Sequence, residues 1–226
     1  MRSAAFGKLS ELSRYQWGLV TSRQAVAEGV ARWELHRLVA DGALESVAFG
    51  VYQVAGAPPA RYLGLRVAWL QLAPGVAAED RGTADGVVSH RSAAVLYGVG
   101  DFEPEPYEFT VPARRRTRRT DVALRVAALA EGEVEWRDEL PVVRPARLVA
   151  DLLAARHDGQ HIGQVIVDLL GRRLVSRARL ARAADAHAAA YGLPDADGAA
   201  LLDHLCGQVA PTAGRLPGRG QRGGSV

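Results

Sequence analysis

Residues 30–54, VARWELHRLVADGALESVAFGVYQV, decide the fold. Leu35, Leu38 and Val39 recur on one helix face, and Gly42 stops that helix. Trp33, His36, Arg37 and Ala40 stand at i, i+3, i+4 and i+7 and form a second stripe, away from the apolar one. Then ALESV (43–47) and VYQV (51–54) read as strands turning through AFG (48–50), where Gly50 supplies a positive φ.

Upstream, Thr21 and Gln24 have the spacing of a capping box, so a helix is expected from Thr21 to Gly29. Another is expected over about Ser3–Gln16, where Phe6, Leu9 and Leu12 share a face. Two short helices joined at a glycine and followed by a hairpin are the order of a winged helix-turn-helix, whose second helix enters the DNA major groove. The exposed stripe is then a DNA-reading face. Arg32, Trp33, His36 and Arg37 are the expected base readers, with Arg37 suited to a bidentate contact with guanine. Arg23 and the run Arg114, Arg115, Arg116, Arg118 and Arg119 suit phosphates. The competing reading is a protein-contact module, with Trp33 and Phe49 as anchors.

AGAPPA (55–60) reads as a linker, dividing a domain over 1–56 from a larger one over 61–210. Beyond it, RYLGLRVAWLQL is a helix, and VVSHRSAAVLYGV a strand entering a helix with Ser89 at its N-cap. PYEFTV and DVALRVA are alternating strands with the arginine run as a hairpin tip between them. VEW and LPVV are weaker strands, and helices follow from Pro145 onward. The glycine- and arginine-rich end, 211–226, reads as disordered. The fold class expected is α+β.

The 226 residues carry a net charge of only +3, so charge distribution says more than its sum. The single cysteine, Cys206, excludes an internal disulfide and suits a reducing cytoplasm. The N-terminus lacks an apolar signal segment, and no apolar run spans a bilayer. Enzyme chemistry finds no positive support. Ser89 and His90 are adjacent, a poor nucleophile–base spacing on a helix. His157 and His161, or His204 and Cys206, lack the further ligands of a metal site. Asp151 and Asp168 lie on apolar helices, and Asp151 is expected to pair with Arg147. No phosphate-cradling glycine loop is present. No catalytic residue, metal or cofactor is therefore assigned.

The order of GLVT (18–21), AEGV (27–30), LHRLVADGALESV (35–47) and GVYQVAG (50–56) resembles the N-terminal winged helix of AbiEi-family antitoxins. VVSHRSAAVLYGV, EFTVPARRRTRR and LPVVRPARLVADLL resemble the C-terminal region of actinobacterial members. The resemblance implies a DNA-binding autorepressor of its own operon. It acts on repeats in the promoter, as the antitoxin of a type IV toxin–antitoxin and abortive-infection system. Its implied partner is a nucleotidyltransferase-like toxin encoded nearby.

Overall fold

The computed structural model describes residues 4–194 and 196–209; the expected disordered tail lies outside them. The N-terminal part runs α1 (Ala4–Ser13), β1 (Leu19–Thr21), α2 (Ser22–Ala27), α3 (Arg32–Ala40), β2 (Leu44–Ala48) and β3 (Val51–Val54). The strands form an antiparallel sheet in the order β1-β3-β2. Leu9, Val20, Ala25, Val30, Leu35, Leu38 and Leu44 pack one core beneath the helices. The expected capping box starts α2: Thr21 Oγ1 accepts from the Gln24 N–H at 3.1 Å, and Gln24 Oε1 accepts from the Thr21 N–H at 2.9 Å. Gly29 and Gly42 follow α2 and α3 with left-handed φ values of 78° and 68°. Together these elements form a winged helix. The sequence reading omitted β1, whose three residues are all buried and so show no alternation to detect.

The remainder is a five-stranded mixed sheet with helices against it. Its elements are α4 (Leu63–Leu72), β4 (Val87–Val88), α5 (His90–Tyr97), β5 (Tyr107–Val111), β6 (Val122–Val126), β7 (Val134–Arg137), β8 (Leu140–Val143), α6 (Pro145–Ala154), α7 (Gly159–Gly171), α8 (Arg177–Ala184) and α9 (Gly198–Gly207). Strand order is β6-β5-β4-β8-β7. A second core joins Trp69, Tyr97, Phe109, Val142, Leu148, Leu152, Ile166 and Leu202.

The arginine run does not tip a hairpin. β5 and β6 pair in parallel, Tyr107 against Val122 through Val111 against Val126, so residues 112–121 must return the chain along the strand. Alternation within each strand was read correctly, but it carries no information about relative direction. The helix expected over Ser176–Tyr191 also divides: after α8, residues Asp185–Tyr191 tighten into a 3-10 helix.

Residues 55–60 join parts that are bonded to each other directly. Thr21 Oγ1 donates to Pro74 O, Gln24 Nε2 to Val76 O at 2.9 Å, and the Ala78 N–H to Gln16 Oε1 at 3.2 Å. Trp17 lies 6.1 Å from the Trp69 ring, carries the Arg66 guanidinium at 4.2 Å, and donates its indole N–H to Glu139. Gly18 is needed here on two counts: its φ is 76°, and a Cβ would stand 2.4 Å from that of Ala57.

Candidate nucleic-acid interface

Helix α3 buries Leu35 and Leu38 and exposes Arg32, Trp33, His36, Arg37 and Ala40, so the second stripe faces outward. Ala31 occupies the N-cap and has no side-chain acceptor. Glu34 supplies the other half of a capping box, its carboxylate accepting the Ala31 N–H at 3.0 Å. Trp33 is 62% exposed. The Arg37 guanidinium lies over its ring at 5.3 Å from the centroid, which orders the two long side chains on the same face.

The wing is short and its turn, Ala48 to Gly50, is uncharged. Ala48 pairs with Val51, leaving Phe49 and Gly50 as the turn, and the register slips by one residue between Ser46 and Ala48. The Ser22 N–H at the start of α2 donates to Gly50 O at 2.9 Å. The turn is thereby held beside Arg23, which is exposed on the first turn of α2.

The arginine loop is tied to this turn through one side chain. Gln71 of α4 bridges them: Arg119 Nη1 donates to Gln71 Oε1 at 2.8 Å, and Gln71 Nε2 donates to Phe49 O at 2.9 Å. The five arginines differ in role. Arg119 is held by Asp121 and lies over the Tyr107 ring at 5.5 Å. Their hydrogen bonding raises the guanidinium's pKa and lowers that of the carboxylate. Arg115 donates to Leu72 O and to Ala84 O, the latter at 2.7 Å. Arg114, Arg116 and Arg118 are exposed. The structure thus brings Arg23, the wing turn and the loop together, with α3 carrying the other expected readers. Gln71 was not recognisable in the sequence; nothing local distinguishes a glutamine on an amphipathic helix as a tether.

The candidates for catalysis resolve differently. Ser89 takes the N-cap position of α5, but its hydroxyl does not cap the helix. It meets its neighbour instead, with Ser89 Oγ and His90 Nδ1 2.9 Å apart. The expectation that adjacent residues could not face each other fails because His90 adopts a left-handed φ of 50°, which turns its ring back. Both residues are buried, and burial lowers the His90 pKa against the opposing pull of Asp151 and Glu108. Asp151 pairs with Arg147 at 2.7 Å, as expected. His161 pairs with Asp101 at 2.6 Å and the Asp168 carboxylate accepts the Gly100 N–H at 2.8 Å. Among the described residues no group of three or more His, Cys, Asp or Glu is placed to hold a metal.

The sequence reading missed Glu108. It is fully buried on β5, accepting the Arg91 N–H at 3.0 Å and the Arg125 guanidinium at 3.1 Å. Its position opposite the apolar stripe of an alternating strand suggests solvent, but β5 is an interior strand covered on both faces.

Residues 8–55 match the family described as "Transcriptional regulator, AbiEi antitoxin". The match covers the winged helix from within α1 to the end of β3, and the resemblance read from the sequence holds there. The AbiEi family is one of DNA-binding antitoxin regulators and is not an enzyme class. No curated protein matches the chain. Among the described residues no helix is long and apolar enough to cross a membrane.

Proposed function

We propose that this chain is a cytoplasmic autorepressor and antitoxin of an AbiEi-type system, binding repeats in its own promoter. Residues 1–56 act as the DNA-binding domain and 61–210 as the domain that supports repression and counteracts a nucleotidyltransferase-like toxin. The observation that carries the reading is the outward stripe of α3, which holds Trp33, His36 and Arg37 clear of the core within the segment that matches the regulator family. In this reading α3 lies in the major groove, Arg32, Trp33, His36 and Arg37 meet base edges, and Arg23 with the arginine loop meets phosphates. The chain's own residues carry the interaction without a cofactor.

The deciding experiment is a titration of duplex from the gene's upstream region beside a scrambled duplex, at two salt concentrations. Preference for the native duplex that is lost in Arg37→Ala supports base reading by α3. Equal binding of both duplexes, abolished by salt, confines the interaction to phosphates. No binding to either assigns the exposed indole of Trp33 to a protein partner instead.

A further inference from the structure

A cavity of about 510 Å³ opens where the winged part meets the rest of the chain, a volume within the range of small-molecule sites. Its walls come from α1, from Trp17 and Gly18, from the end of β3 with residues 57–61, from α4 and from the turn between β7 and β8. Val54, Ala57, Pro58, Pro59 and Ala60 give it an apolar lining. Its charges are unbalanced: Arg14, Arg61 and Arg66 line it against one carboxylate, Glu139. That carboxylate neutralises them poorly. Its side chain is 76% exposed, it lies 3.5 Å from Arg66, and it also accepts the Trp17 indole N–H.

Arg66 decides what the cavity takes. It is 6% exposed, with its guanidinium over the Trp17 ring and Nη2 bonded to Asp138 O at 3.2 Å. Its Nε is buried without a hydrogen-bond partner, and so is the Oγ of Ser10, another residue of the wall. Buried polar atoms without partners are rare, and a bound group is one way their bonding is completed. Burial lowers the Arg66 pKa; Glu139 and Asp138 oppose this, while the nearby Arg61 charge adds to it. A second cation thus stands close to one already short of solvent and counter-charge. The backbone around them takes an uncommon form: Trp17, Tyr62, Asp138 and Glu139 all have left-handed φ values, between 46° and 61°. We infer that this cavity binds a small organic carboxylate, its apolar body against Val54, Pro58 and Pro59 and its carboxylate held by Arg61 and Arg66. Guanidinium groups offer paired donors that match the two oxygens of a carboxylate, and the anion relieves the repulsion between the two cations. No residue of α3 lines the cavity, and the inference does not rest on DNA binding.

The test titrates the full chain by calorimetry with benzoate and naphthoate. Benzyl alcohol and naphthylmethanol serve as uncharged counterparts, and inorganic phosphate as an anion without an apolar body. Arg61→Gln removes an exposed cation whose hydrogen bond is to its neighbour Tyr62, a change the fold tolerates. Ala60→Trp fills the cavity from a residue outside any helix or strand, and thermal unfolding checks that it folds. Both carboxylates are expected to bind, naphthoate the more tightly, and each about tenfold or more tighter than its alcohol and than phosphate. Arg61→Gln weakens binding about tenfold, Ala60→Trp abolishes it, and the assigned Trp17 indole N–H resonance moves as naphthoate is added to the native chain. Absence of binding by both carboxylates overturns the inference. So does equal binding of carboxylate and alcohol, or phosphate binding as tightly as naphthoate. Binding that survives Ala60→Trp, or that leaves the Trp17 resonance unmoved, places the anion elsewhere and also overturns it. Should Ala60→Trp fail to fold, Arg61→Gln and the Trp17 resonance decide alone.

Discussion

The side-chain amides of Gln16 and Gln24 are paired head to tail: each Nε2 donates to the other's Oε1, at 2.9 and 3.0 Å, and both residues are buried. Gln16 also donates to Leu19 O at 2.8 Å and accepts the Ala78 N–H, while Gln24 takes the Thr21 N–H and reaches Val76 O. One pair of amides therefore joins the end of α1, the cap of α2 and the loop of the neighbouring part.

Gln24→Leu removes the polar half of that arrangement and strands Gln16 in a buried setting. The expected loss is about 2–4 kcal/mol, from two or more buried groups left without partners. Urea denaturation checks the magnitude. Amide exchange checks its location, with faster exchange expected across α2 and residues 74–78.

Arg81 holds that same loop. Its guanidinium donates to the carbonyls of Trp69, Leu70 and Ala73 at the end of α4 and lies over the Trp69 ring at 4.6 Å. Burial lowers its pKa to about 10, so it remains charged at neutral pH. Arg81→Met leaves several carbonyls without a donor and is expected to cost about 3 kcal/mol or more in thermal or urea unfolding. Arg81→Lys recovers only part of this, since an ammonium lacks the planar fork that spans separated acceptors.

Glu108 makes stability depend on acidity. Burial pushes its carboxyl upward, but the Arg91 N–H, the Arg125 guanidinium and the nearby His90 and Arg91 charges outweigh that and hold it below the usual carboxylate range. A pKa depressed by folding contributes stability above the unfolded value, about 4.3, and loses it as pH falls through the folded value. Unfolding midpoints between pH 7 and pH 3 therefore show an acid limb. In Glu108→Gln, stability at pH 7 drops by about 1–2 kcal/mol, because Arg91 and Arg125 lose their counter-charge but both reach solvent, and the limb flattens.

The arginine loop separates by role in a salt titration. Replacing Arg114, Arg116 and Arg118 together with alanine is expected to reduce the slope of log affinity against log salt by about 3, with the preference between sequences kept. Arg119→Ala instead frees Gln71 and the loop, and its effect includes a stability loss visible by denaturation before any DNA is added.

The helices of the winged part were legible because their ends carry local signals: Thr21 with Gln24 at one start, Gly29 and Gly42 past the ends. The outward stripe of α3 followed from helical spacing alone. The direction of β6 did not, since a strand's side-chain alternation is the same whichever way its partner runs. Glu108 and Gln71 escaped notice for a related reason. Each acquires its role from residues 17 to 48 positions away, and a lone polar residue on a strand or helix gives no hint of such a partner. Of the two engaged members of the arginine run, Arg119 has a partner two residues away in Asp121, whereas Arg115 is held by carbonyls 31 and 43 positions away and carries no local cue.

The bonds from Thr21, Gln16 and Gln24 to residues 74–78 carry a kinetic consequence. A reader made of two loosely strung halves must freeze their relative motion each time it meets its target. In the DNA-binding reading proposed above, that entropy is surrendered once, during folding, so the chain would meet a duplex with these two parts already joined. Association then depends on orientation and charge steering, and residence time on how much of the rigid surface fits.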